Sequence, residues 1–409
     1  MASILFFTFQ SASHVNTRLS IVDRLLSAGH RVGWFTFPGA VAALAHKPGL
    51  DLLNARHPFP RVESMLLGSS AKARSEISTT PAAEAAFIED LYVGSVRPTV
   101  ETFRAVIRDF DPDCVATDGR LYATIIASAL EGRPYASLRA ALILCQPPDL
   151  DYPLEQIVAG FATTRAELMS EYGVDLPFIG LDAVSPYLNV LLTPPELVAG
   201  IELPAHTVAL GSSIATEQRT TPPFDWARVD ASLPLIYLAF GTRFGWRPAL
   251  ISILLEAASS LGQVVASIGA MQESDSFVVP RADRCITEAF VDQLDVLDHT
   301  AVFITHGGAS SLMEAIERGV PMLVIPLSLD QPVSAYLVER ARIGIALRPE
   351  DVTVEAAGAA IRELLDPANG YRERARALMI AAKTHDGAAA VADALVALAT
   401  GDRPSGSPP

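Results

Sequence analysis

The hydrophobic and polar positions of this chain alternate between two periods. Residues 3–9 are apolar with no turn residue, the pattern of a buried strand. Residues 11–17 are polar and read as a loop. Leu19, Val22, Leu25 and Leu26 then recur at helical spacing up to Gly29, and residues 30–37 read as a second strand. Strand, loop, helix, strand is the start of a doubly wound parallel sheet. Residues 55–80 carry little pattern and read as loop. Residues 82–110 are largely helical in pattern, with a break near Pro98. Then follow a strand at 114–117 ending at Asp118, a helix at 122–130 and a strand at 135–138. A helix at 154–172 and strands at 188–192 and 207–210 complete the first half.

Residues 211–233 are polar and rich in proline, as expected of a linker. The alternation restarts after it, with strands at 235–240, 264–268 and 285–290 and a helix at 248–261. A last strand is expected at 343–347, with helices at 354–365, 371–382 and 388–398. The fold class is therefore α/β, with two halves of similar size. The expected division is a first domain at 1–215, a linker at 216–233, a second domain at 234–385, a C-terminal helix at 386–400 packing back on the first domain, and a disordered tail at 401–409. Ligands of open α/β sheets bind outside the carboxyl ends of the strands.

The most informative stretch spans residues 290–331. An apolar run at 301–305 ends in His306-Gly307-Gly308, and a helical segment follows at 310–318. Gly319 and Pro321 punctuate, and a second apolar run at 322–325 ends at Pro326. This is a βαβ unit. Two glycines and two serines at its helix start offer N–H groups and hydroxyls to an anion, which the helix dipole also favours. The stretch reads as the seat of a nucleoside diphosphate. It is not a dinucleotide fingerprint, because no third glycine follows Gly308 at the required spacing.

Composition narrows the partners. With 409 residues, half of them hydrophobic, the chain can bury two cores. A net charge of −15 argues against nucleic acid or an anionic membrane surface as partner, so an anionic ligand must be held by local groups. No apolar run approaches the roughly 20 residues of a membrane span, and the N-terminus lacks the basic start of a signal peptide. Cys114, Cys145 and Cys285 lie far apart in apolar surroundings and read as buried thiols of a cytoplasmic protein.

The stretch THGGASSLMEAIERGVPMLVIPLSLDQ, the FVDQLDVL before it and the N-terminal SHVNTRLSIVDRLLSAGHRVGWFT together resemble family 1, the UDP-dependent glycosyltransferases. The similarity runs through the whole chain in order. It is weakest at 40–110 and 140–215, and it is nearest to the bacterial branch acting on macrolides and other small lipophilic natural products. The resemblance implies the GT-B fold, two Rossmann-like domains facing across a cleft. It also implies an inverting hexosyltransferase using UDP-glucose first and a dTDP-sugar second, with no cofactor or metal.

The resemblance assigns roles to individual residues. His306, Gly307, Gly308, Ser310 and Ser311 would hold the diphosphate, with Ser310 standing where many relatives have Asn. Glu314 would take both ribose hydroxyls; the plain alternative is a first-turn glutamate favoured by the helix dipole. Phe290 would stack on the base, against the alternative of a strand-end core residue. Val291 would offer only backbone atoms, and Gln293 would reach ribose or base. Asp330 and Gln331 would bind the donor sugar, Asp330 being equally suited to cap the following helix. Thr242, after Gly241, would face the β-phosphate. An acceptor hydroxyl needs a proton acceptor, and His14 with Asp118 behind it fits that need. Here Ser13 and Thr17 replace the family's usual Gly and Pro.

Two carboxylate patterns are set aside. Asp149-Leu150-Asp151 looks like a metal-binding triplet of another fold, and Asp109, Asp111 and Asp113 lack a completing ligand. A sugar-nucleotide epimerase or hydrolase on the same fold and a non-catalytic sugar-nucleotide binder are the competing functions.

Overall fold

The computed structural model describes residues 1–9, 12–36, 47–54, 88–139, 141–147, 153–214, 224–241, 247–269, 278–328 and 330–402, with the single positions 44, 85, 86 and 150. The expected loop at 55–80, Asp149, Asp151, residues 216–223 of the expected linker and residues 403–409 of the tail lie outside these residues. The chain divides into two compact units. One comprises residues 1–195, 200–218 and 385–409, and the other residues 196–199 and 219–384.

In the first unit, β1 (Ser3–Phe6) leads into α1 (Ala12–Ser27), then β2 (Arg31–Thr36) and β3 (Leu50–Asn54). α2 (Val96–Phe110) precedes β4 (Cys114–Thr117), α3 (Tyr122–Leu130) and β5 (Tyr135–Arg139). α4 (Pro153–Glu171) is followed by a small antiparallel hairpin, β6 (Phe178–Ile179) and β7 (Asp182–Ala183), and by β8 (Leu188–Leu191) and β9 (Thr207–Ala209). Seven parallel strands form the sheet in the order β3-β2-β1-β4-β5-β8-β9. The order reverses between β1 and β4, the kind of switch point where such sheets bind ligands. Leu5 pairs with Val115 there.

Two expectations are corrected. Residues 12–17 are helix, not loop. Val15 is fully buried, while Thr17 Oγ1 and Arg18 Nη1 both donate to the His14 carbonyl, so these two polar side chains are satisfied inside the protein. The helical region before β4 is interrupted at Asp90–Gly94, a wider π turn, and not at Pro98. Pro98 lies in the first turn of α2, where a missing N–H leaves no bond unmade.

The second unit holds β10 (Leu235–Ala239), α5 (Pro248–Ser259), β11 (Gln263–Ser267), β12 (Cys285–Glu288), α6 (Gln293–His299), β13 (Val302–Thr305) and α7 (Ala309–Arg318). β14 (Met322–Val324), α8 (Gln331–Arg340), β15 (Gly344–Ala346), α9 (Val354–Leu365) and α10 (Tyr371–Ala382) complete it. Its six parallel strands run β12-β11-β10-β13-β14-β15, reversing between β10 and β13, where Ala239 pairs with Thr305. Leu254, Leu255 and Ala258 of α5 and Ile361 of α9 cover one face of this sheet in a single core with Ile236, Val264 and Ile304.

The last helix, α11 (Gly387–Thr400), belongs to the first unit. Its Val391, Ala392 and Leu395 join Leu19, Val22 and Leu25 of α1 over Ile4, Phe6 and Trp34. Burial of these apolar side chains, each worth roughly 1.5–3 kcal/mol when large, holds the helix there. The exposed Arg24–Asp386 pair beside it adds little. No helix among the described residues is long and apolar enough to cross a membrane.

Candidate functional site

Each unit gathers polar side chains at its switch point. In the first unit, α1 follows β1 and presents His14 from its first turn, while Asp118 follows β4. Parallel pairing of β1 with β4 puts the two side by side. His14 Nδ1 lies 3.3 Å from Asp118 Oδ2, which also accepts from Thr8 Oγ1 at 3.0 Å. Arg18 Nη2 donates to Asp118 Oδ1 at 2.9 Å. Burial alone would raise the Asp118 carboxyl, but the charges of Arg18 and His14 and the hydrogen bonds from His14 and Thr8 outweigh it. They hold the group well below the usual carboxylate range. An ionised carboxylate only accepts, so His14 carries its proton on Nδ1, and Nε2 is the nitrogen able to take another. The Phe9 ring packs edge-on against the imidazole at 5.1 Å, fixing its plane.

In the second unit, β13 delivers His306-Gly307-Gly308 to the start of α7. Gly307 has φ +83°, and a Cβ there would stand 2.8 Å from Val324 Cγ1, so both backbone shape and space require glycine. A Cβ on Gly308 would come within 2.7 Å of His306 Nε2, and one on Gly241, after the neighbouring β10, within 2.9 Å of Cε1. The imidazole is thus wedged between two glycine loops. No side chain caps the first turn of α7, so its leading amides face outward from the helix as anion donors.

A second cluster flanks this loop. Gln293 Nε2 donates to Glu314 Oε2 at 2.6 Å and to Ser311 Oγ at 3.2 Å. Tyr237 Oη, deep in β10, donates to Gln293 Oε1 at 3.2 Å and so fixes which way the amide points. Gln293, Ser311 and Glu314 are brought together as one group, with Glu314 buried and the other two half-buried. Glu314 is only 6% exposed and sits in the second turn of α7, which removes the first-turn dipole explanation for it. Phe290 is 64% exposed just past β12, so it is not a core residue, and Val291 beside it is half-buried. Ser310 is half-buried at the helix start.

Asp330 occupies the N-cap position of α8 but makes no side-chain capping bond. Gln331 is buried, and its Oε1 accepts from the Leu327 and Ser328 amides at 2.7 and 3.0 Å, bracing the loop after β14. A contact from Gln331 to a ligand would therefore fall to Nε2. Thr242 lies outside the described residues. Among those residues, no group of three His, Cys, Asp or Glu side chains gathers to hold a metal, and Asp111 instead ends α2 in the left-handed conformation.

Residues 252–398 match the family described as erythromycin biosynthesis protein CIII-like, C-terminal domain. The chain is 26% identical to the NDP-glycosyltransferase YjiC of Bacillus subtilis (strain 168), across 85% of each protein. It is 25% identical to the demethyllactenocin mycarosyltransferase of Streptomyces fradiae, across 90% of this chain and 80% of that one. The crystal structure of the glycotransferase of kitacinnamycin matches 97% of this chain and 99% of its own with a TM-score of 0.75, at 22% identity. The fold is that of the GT-B glycosyltransferases.

Sequence reasoning missed Thr8, Arg18 and Tyr237 in these two sites. Each is polar, buried and bonded to a residue that was singled out, through contacts that no local pattern announces. His306 carries a separate consequence. Burial pushes its imidazole down to about 4, partly offset by a hydrogen bond to the Ala239 carbonyl. The unfolded chain takes up that proton near pH 6.5, the folded chain only near 4, so stability falls as pH drops through this window. The expected loss is up to about 3 kcal/mol. Urea midpoints should decline from pH 6.5 to 4 in the wild type and decline less in His306→Asn; equal slopes would remove His306 from the account.

Proposed function

We propose that this protein is an inverting hexosyltransferase. It moves glucose from UDP-glucose, with dTDP-sugars as the second class of donor, to a hydroxyl of a small lipophilic acceptor. The observation that carries the reading is the His14–Asp118 contact of 3.3 Å at the first unit's switch point. His14 Nε2 takes the proton of the acceptor hydroxyl, whose oxygen forms a bond to the anomeric carbon. The bond from that carbon to the β-phosphate oxygen breaks, and the nucleoside diphosphate leaves. Asp118 stabilises the resulting imidazolium.

On the donor side, Phe290 stacks on the base and Val291 supplies backbone contacts. Gln293 and Glu314 bind the ribose. His306, Gly307, Gly308, Ser310, Ser311 and Thr242 hold the diphosphate, and Asp330 and Gln331 take the sugar hydroxyls. The leading amides of α7 meet the charge that develops on the departing diphosphate, so no metal takes part. The enzyme works in the cytoplasm, where its three buried cysteines remain thiols. Mass spectrometry of the protein with UDP-glucose, dTDP-glucose and a panel of aromatic and polyketide alcohols tests the proposal. A hexosylated alcohol is expected, and its absence across both donors and the whole panel argues against it.

A further inference from the structure

We propose that Arg18 is a positioning residue that sets the orientation and proton affinity of the His14–Asp118 dyad. The inference rests on the reading of His14 as the base. Arg18 lies in mid-α1 and is 1% exposed. Both terminal nitrogens of its guanidinium are engaged. Nη2 donates to Asp118 Oδ1 at 2.9 Å and to the Leu138 carbonyl at 2.7 Å. Nη1 donates to the His14 carbonyl at 2.9 Å and to Thr17 Oγ1 at 2.7 Å. One side chain thus ties together the turn that carries His14, the end of β5 and the carboxylate that faces the imidazole.

The two carboxylate oxygens are divided between partners. Oδ1 goes to Arg18, and Oδ2 to His14 and Thr8. A rotation of Asp118 that would break its line to Nδ1 must also break the bond to Arg18. The arrangement also has a charge consequence. A buried carboxylate facing an imidazole with no other cation strongly favours the imidazolium. Such a histidine keeps its proton to higher pH, so a smaller fraction of it can accept one from the acceptor. Arg18 neutralises Asp118 in the resting state, so the base stays available, and the carboxylate still orients Nδ1–H.

Other charged groups nearby do not take this role. The Arg139 guanidinium lies against Gly119, the residue after Asp118, but its Nη1 pairs with Asp182 at 2.5 Å. Arg120 Nε pairs with the same Asp182 at 2.7 Å. Tyr92 meets the Phe9 ring at 6.1 Å, so it stands behind the wall that packs on His14.

The test is the pH profile of kcat/KM for transfer to a fixed alcohol, measured for wild type, Arg18→Met, Arg18→Lys and His14→Ala. In Arg18→Met the acid limb should move up by about one pH unit, since the imidazolium loses a nearby positive charge. In Arg18→Lys the limb should stay near its wild-type place while kcat falls severalfold, because an ammonium keeps the charge but cannot make all four bonds. Arg18→Gln serves as the neutral variant where Arg18→Met does not fold. If His14→Ala is inactive and the limb of the neutral variants stays put, Arg18 is merely structural and the inference is overturned. If His14→Ala keeps near-native kcat, the base assignment fails instead, which separates the two results.

Discussion

His14→Ala should lower kcat for glycosyl transfer by about 10²- to 10⁴-fold, the range of a lost general base. The donor KM should change little, because the described residues assigned to nucleotide binding lie in the other unit, past β12 and from the end of β13 into α7. The fold should also survive. His14 is half-buried on the first turn of α1, and the bonds that Thr17 and Arg18 make there use its backbone carbonyl, which alanine retains. A histidine that only filled space would give the opposite signature, a loss of stability with kcat intact. Steady-state kinetics beside thermal melts of both proteins separates the two. An unchanged kcat in a folded His14→Ala protein would remove the base from the mechanism.

Glu314→Ala should raise the donor KM, and the Kd for the free nucleoside diphosphate, by about 10- to 100-fold. That range corresponds to roughly 1.5–3 kcal/mol for hydrogen bonds to a charged group. The effect should appear in binding and leave kcat within a few-fold, because a ribose contact is made equally in the ground and transition states. The same substitution leaves Gln293 Nε2, now bonded to Glu314 at 2.6 Å, without its charged partner. Calorimetry with UDP reads the loss directly. A Kd within twofold of wild type would mean that the Gln293–Ser311–Glu314 cluster serves packing alone.

The sequence pattern disclosed the alternating α/β plan, because strands buried on both faces are written as continuous apolar runs. The βαβ unit at 302–324 was visible for the same reason, reinforced by glycines that this loop requires. What stayed hidden has one physical cause. Residues 11–17 were read as loop because they are polar, yet Thr17 is satisfied within the turn and His14 by Asp118, about a hundred residues away. Arg18 carries no local signal, and only its partners at Asp118 and Leu138 reveal it as buried. The helix at 293–299 lay unnoticed inside a motif, its start marked by Asp292 accepting from the Leu294 and Asp295 amides. Gln331, singled out for sugar binding, proves to brace the Leu327–Ser328 loop as well. Local pattern reports burial of apolar atoms; it does not report long-range satisfaction of polar ones.

The most direct test of transfer to an alcohol is UDP release from UDP-glucose, measured with and without an acceptor on which a hexosylated product is found. The account predicts release that rises with acceptor concentration, falls to a small residual rate without it, and yields one glycoside per UDP. Release at the same rate with no acceptor present would mark a hydrolase or epimerase and contradict the proposed role of His14.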